Sequence, residues 1–171
     1  MTRRQTTGSA GEGGLLRTWE QHHTGIVVAD LDRDLEFYRT VLGYELTFMV
    51  RGMDDLYRRT VGVPGVSCDL AQLDNRATGT RIELIQVHDL PAGTDPSLPV
   101  HVGVAHTAYL VADIAAAAET IRAAGGEILG EIVEFEEGPA AYFRTAGGTV
   151  VELEEHRNPS KEEGEDAVHI S

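Results

Sequence analysis

The chain states one pattern twice, and any fold must accommodate both copies. His23–Leu46 reads HTGIVVADLDRDLEFYRTVLGYEL, and His106–Leu129 reads HTAYLVADIAAAAETIRAAGGEIL. Without a gap they match at His23/His106, Thr24/Thr107, Val28/Val111, Ala29/Ala112, Asp30/Asp113, Glu36/Glu119, Arg39/Arg122, Gly43/Gly126 and Leu46/Leu129. A second echo follows each copy: GTRIEL at Gly79–Leu84 and GTVVEL at Gly148–Leu153. Each unit therefore opens with a histidine and closes with a glutamate, placing four potential metal ligands at equivalent positions.

The local signals give each unit the order β-α-β-β-β. Thr24–Val28 and Thr107–Val111 are short apolar runs with β-branched residues, as buried strands are. Asp30 and Asp113 follow as helix N-caps, accepting from backbone N–H groups that the first turn leaves free. Leu31, Leu35, Tyr38 and Leu42 recur at helical spacing, and Gly43 supplies a left-handed C-cap. Ile114, Ala118, Ile121 and Gly125 repeat that stripe with smaller side chains. Strands are expected at Tyr44–Val50, Ser67–Leu73 and Thr80–Val87, then at Glu127–Val133, Ala141–Thr145 and Thr149–Glu154. Turns are expected at Asn75–Gly79 and Ala146–Gly148. The expected organisation is a flexible arm over 1–18, a first module over 19–87, a proline-containing linker over 88–103, a second module over 104–156 and an acidic disordered tail over 157–171. Residues 51–65 are an insertion in the first module only, a short helix or a lid.

Composition narrows the function. A formal net charge of −14 argues against nucleic acid and anionic membranes, both of which need a cationic surface. No run reaches the roughly 18 apolar residues of a membrane span. Cys68 is the only cysteine, so an internal disulfide is impossible, which fits the cytoplasm; a buried structural thiol is its expected role.

The chemistry rests on His23, Glu83, His106 and Glu152. Residues at equivalent places in two related modules lie symmetrically about the axis between them. If the first and last strands of the modules neighbour one another, two imidazoles and two carboxylates converge. That set suits one divalent transition metal (Zn, Ni, Co, Mn or Fe) and leaves two of six coordination positions open. Against this, each glutamate sits in an alternating strand and could face water. His22 is expected on the face opposite His23. His88, His101, His156 and His169 are expected in solvent, with His101 or His156 near enough to the site mouth for acid-base work. Arg58 and Arg59, beside Tyr57, are candidate anchors for an anionic substrate group, set against a solvated helix face where Asp54 and Asp55 pair with them.

These motifs resemble the vicinal oxygen chelate superfamily, the glyoxalase/bleomycin-resistance/dioxygenase family, over roughly Trp19 to His156. The pieces that carry the resemblance are the run from His23 to Leu31, Phe37-Tyr38-Arg39 with Leu42-Gly43, Ile82-Glu83-Leu84, His106-Thr107, Val111-Ala112-Asp113 and Val151-Glu152-Leu153. The resemblance implies an α+β fold of two tandem βαβββ modules forming a curled mixed sheet around a metal site. It implies His23, Glu83, His106 and Glu152 as the ligands and Glu152 as a base, with Glu83 as the other catalytic carboxylate. It implies a homodimer acting on a small-molecule substrate. The pattern is similar to glyoxalase I and methylmalonyl-CoA epimerases, the latter usually having Gln where Glu83 stands. The stretch after Glu83 lacks the Asn that glyoxalases show, which argues against glutathione. The expected activity is proton abstraction next to a carbonyl with a metal-stabilised enolate, giving an isomerase, epimerase or lyase. The alternatives are an Fe(II) dioxygenase and a protein that sequesters a small molecule without catalysis.

Overall fold

A computed structural model of the chain describes residues 19–157. The expectations for the arm and for all but the first residue of the tail, and for His169, lie outside these residues. The elements run β1 (Glu20–Val28), α1 (Leu31–Thr40), β2 (Glu45–Met53), α2 (Asp55–Val61), β3 (Ser67–Asn75), β4 (Thr80–His88), β5 (Ala105–Leu110), α3 (Ile114–Ala123), β6 (Glu127–Ile128), β7 (Val133–Glu134), β8 (Pro139–Arg144) and β9 (Val150–Glu154). All the strands join one open mixed sheet in the order β2-β3-β4-β1-β5-β9-β8-β6, with β7 also on β8. This is the expected α+β class: two βαβββ units meet edge to edge through the antiparallel pair β1–β5.

Local chemistry explains both long helices. The Asp30 carboxylate accepts from the backbone N–H of Arg33 at 3.1 Å, and Asp113 accepts from that of Ala116 at 2.9 Å. Each cap is worth about 1 kcal/mol. Gly43, at φ +72°, ends the first helix, where the N–H of Tyr44 reaches back to the carbonyl of Tyr38. The second helix stops at Ala123, so Gly125 at φ +86° belongs to its exit and not to the apolar stripe. Both helices cover the same kind of sheet face. Leu31 and Leu35 pack on Ala71, Leu73, Ile82 and Leu84. Ile114, Ala117, Ala118 and Ile121 pack on Ala141, Phe143 and Leu153.

Strand alternation sends the remaining residues to the opposite face. There Cys68, Leu70, Ile85, Tyr142 and Val150 form a third apolar cluster with Tyr57 and Val61. Within the insertion, residues 51–53 extend β2 and Asp55–Val61 form the short helix α2, laid over the face that also carries Glu83 and Glu152. Cys68 is fully buried, and burial, with the nearby Glu83 and Asp69 carboxylates, pushes its thiol far up, as befits a structural residue.

The strand expected at Glu127–Val133 is broken into β6 and β7. The break receives the C-terminal end of α2. The N–H of Glu131 donates to the carbonyl of Arg59 at 2.9 Å, and the N–H of Leu129 to that of Tyr142. Gly130 lies so close that a Cβ there would stand 2.2 Å from the Arg59 carbonyl oxygen and 2.4 Å from that of Thr60. Leu129 thus still bonds to β8, whereas Glu131 gives its N–H to a helix from the other unit.

Candidate metal centre

Register brings the four sequence candidates together. In the parallel pair β1–β4, Gly25 stands beside Glu83. In the parallel pair β5–β9, Ala108 stands beside Glu152, the equivalent place in the second unit. Across the seam, Gly25 pairs with His106. His23, Glu83, His106 and Glu152 are all buried, and each offers a ligand atom within 4.8 Å of the others. His106 Nε2 lies 3.1 Å from Glu152 Oε2. His23 Nε2 lies 3.4 Å from Glu152 Oε2 and 3.6 Å from Glu83 Oε2. All four come from one chain, so a second subunit is not needed to assemble them.

These short distances are not hydrogen bonds. His23 Nε2, His106 Nε2 and Glu152 Oε2 are buried and lack a geometrically sound partner. A buried orphaned polar atom costs about 1–3 kcal/mol, and three aimed at one spot is an arrangement that packing would remove. Two imidazole nitrogens and two carboxylates fit a divalent metal of the zinc, nickel, cobalt, manganese or iron kind.

Electrostatics separates the two carboxylates. Burial pushes Glu83 up, and the neighbouring Glu152 and Glu154 add to this against the pull of His23. Burial also pushes Glu152 up, but the imidazoles of His106 and His23 close beside it outweigh this and hold the carboxyl below the usual range. Burial disfavours protonated His23, yet Glu83, Glu152 and Glu154 around it hold its pKa well above the ordinary histidine value. His23 thus attracts a cation, a proton or a metal.

Several neighbours escaped the sequence reading. Gln72 Nε2 donates to Glu83 Oε1 at 3.0 Å from the adjacent strand. Tyr142, paired with Glu152, sets its ring edge-on to His106 with centroids 4.9 Å apart. Glu154, two residues past Glu152 and so on the same face, reaches His23 Nδ1 at 3.2 Å. Gly25 makes room for His106: a Cβ there would lie 2.0 Å from His106 Cε1. The sequence signal for it was a small residue two places after each histidine, Gly25 and Ala108.

His22 does not point away from His23. The β1–β5 register shifts between Gln21 and Thr24, inserting one extra residue in β1. A bulge of this kind breaks alternation, and the two Nδ1 atoms stand 3.1 Å apart. His156 also joins this group, at 2.9 Å from Glu154 Oε2. His88 is partly exposed and lies 3.4 Å from Asp69. His101 remains in the segment between β4 and β5, where its Nε2 is buried without a hydrogen bond. Arg58 and Arg59 are not brought to the cluster. They lie on the partly exposed side of α2, where Arg58 pairs with Asp55 and Arg59 with Glu131.

Residues 20–153 match the family model described as the Glyoxalase/Bleomycin resistance protein/Dioxygenase superfamily. The chain belongs to this family. A 2-epi-5-epi-valiolone epimerase from Actinomyces sp is 32% identical over 146 residues, which are 77% of this chain and 76% of that relative. Among solved structures, methylmalonyl-CoA epimerase from Mycobacterium tuberculosis superimposes with a TM-score of 0.58 at 22% identity, covering 80% of this chain and 87% of that one. A Streptomyces coelicolor methylmalonyl-CoA epimerase variant gives 0.54 at 23% identity, covering 82% and 99%. At these identities the structural likeness speaks for the shared fold. The epimerase-named relative at 32% identity points to an enzyme acting on a small molecule. Among the described residues no helix is long and apolar enough to cross a membrane.

Proposed function

We propose that the protein is a divalent-metal-dependent epimerase of a small oxygen-rich ketone. The observation that carries this reading is the set of orphaned polar atoms, His23 Nε2, His106 Nε2 and Glu152 Oε2, converging with Glu83 from equivalent places in two modules. His23, Glu83, His106 and Glu152 would hold the metal, which when bound supplies a Lewis acid for oxygens next to the reacting carbon.

The chain's residues would do the proton work. Epimerisation removes a proton from the carbon beside the carbonyl and returns one to the opposite face. Glu152 would take the proton and Glu83 would return one. Gln72 would orient Glu83 through its hydrogen bond. Tyr57, Val61 and the apolar cluster around them would exclude water from that face, strengthening each charge interaction there. The relative named 2-epi-5-epi-valiolone epimerase supports a ketone substrate and inversion at a carbon. An acyl-CoA is less well supported, since Arg58 and Arg59 are already engaged by carboxylates.

The test is incubation of the metal-loaded protein with valiolone-type ketones in D₂O, with metal content measured alongside. Epimerised product carrying deuterium at the inverted carbon is expected. Glu152→Gln is expected to slow exchange by about 10²-fold or more. Oxygen consumption with a diol and no exchange would replace the epimerase by the dioxygenase reading. Tight binding of a small molecule by metal-free protein without turnover would leave sequestration.

A further inference from the structure

Behind His23 lies a second polar group that the reaction above does not use. Glu154 is its hub. Oε1 faces His23 Nδ1 at 3.2 Å, while Oε2 faces His22 Nδ1 at 3.1 Å and His156 Nε2 at 2.9 Å. Arg81 stands behind His22. Its guanidinium meets His22 Nε2 at 2.6 Å and is itself held by both oxygens of Asp74, at 2.8 and 3.1 Å.

Donor logic fixes the proton positions. A guanidinium can only donate, so His22 Nε2 is the acceptor and His22 Nδ1 carries the proton. His22 Nδ1–H then has two acceptors at 3.1 Å, Glu154 Oε2 and His23 Nδ1; donation to Glu154 leaves His23 Nδ1 to carry its own proton toward Glu154 Oε1, 3.2 Å away. The alternative, His22 Nδ1–H donating to His23 Nδ1, would leave His23 protonated at Nε2 and blind to a metal.

We infer that Glu154 is a positioning residue: held by His22 and His156, it accepts the Nδ1 proton of His23 and so aims the Nε2 lone pair at Glu83, His106 and Glu152. The inference rests on the metal reading above. Carboxylates that hold a ligand histidine this way set its tautomer and ring orientation. The group is not a second metal site of the same kind. The first cluster carries orphaned atoms, whereas the atoms here have partners, and the Arg81 cation occupies the nitrogen that His22 would have to free. Nor is it a by-product of the duplication. Ile85 and Ala105 stand where the other unit would need the equivalents of Glu154 and His22, and His106 Nδ1 has no hydrogen bond. Only one of the two histidines has this support, so the device is built on one side of a symmetric site.

The experiment compares wild type with Glu154→Ala, Glu154→Gln and His156→Ala. Long-range ¹⁵N–¹H NMR on metal-free, histidine-labelled protein, at a pH alkaline enough to make His23 neutral, reads the His23 tautomer. Competition with a chelator reads Co(II) affinity and stoichiometry at alkaline pH, where protons compete least for His23. Wild type is expected to show His23 in the Nδ1–H form and one Co(II). Glu154→Ala is expected to lose that tautomer and bind Co(II) about 10–100-fold more weakly, with Glu154→Gln, which keeps an accepting oxygen, restoring part of both. His156→Ala leaves Glu154 in place, is expected to show a smaller loss, and serves if Glu154→Ala does not fold. An Nε2–H tautomer in wild type, or unchanged tautomer and affinity in Glu154→Ala, overturns the inference. So does a second Co(II) lost with Glu154, which would make the group a binding site. If wild type takes no Co(II) but the tautomer still depends on Glu154, the metal reading falls and the positioning role stands.

Discussion

Gly25 lacks a side chain where the imidazole of His106 lies, and its Cβ would overlap three ring atoms at 2.0–2.8 Å. Gly25→Ala is therefore expected to push His106 out of the cluster. Metal affinity should fall at least about tenfold, and overpacking should cost about 1–3 kcal/mol of stability; chelator competition and thermal melts check both. The four clustered residues were legible in the sequence because duplication marks them. Gln72 and Glu154 were not, because their role depends on which strand lies alongside and on what face, and nothing adjacent in the chain records that. His22 was misplaced for a related reason. Strict alternation sends it away from His23, and the extra residue in β1 is a property of pairing with β5, not of the HH dipeptide.

At the scale of elements, caps and strands with local signals appeared where the residues put them: Asp30 and Asp113 start helices, and Asn75–Gly79 turns between β3 and β4. The break between β6 and β7 was hidden, since its cause is α2, some seventy residues earlier in the chain. Gly130 is the trace it leaves. Gly130→Ala would drive a methyl into the Arg59 and Thr60 carbonyls, which cannot move without lifting the end of α2. The expected result is a loss of about 1–3 kcal/mol with faster amide exchange along Asp55–Val61, while α1 and α3 keep their protection. Equal loosening of all three helices would show that α2 is not separately docked.

For the molecule as a whole, the buried ionisable cluster ties stability to pH. His23 and Glu83 both have folded pKa values raised above their ordinary 6.5 and 4.5, so the stability they contribute is present at low pH and is lost as pH rises through the folded values. Glu154 is depressed far below 4.5, so its contribution is present above 4.5 and is lost as pH falls through its folded value. Metal-free protein should therefore gain stability as pH rises to about 4.5, lose part of it above 4.5 as Glu83 ionises, and lose more above 6.5 as His23 gives up its proton. A divalent metal should reverse the alkaline loss by replacing the proton on His23. Melts across pH with and without metal read this directly, and an alkaline loss that metal leaves untouched would contradict it.

The β1–β5 seam has a consequence for how such a chain can change. Neither unit owns the site. Each carries half of a shared lock, and the only place where the halves form a whole is the joint between them. A substitution that suits one unit by itself, such as a better-packed residue at Gly25, is charged against a histidine encoded eighty-one positions later. The two copies are therefore free to diverge in their helices and insertions, as α2 shows, but must drift in concert along one shared edge.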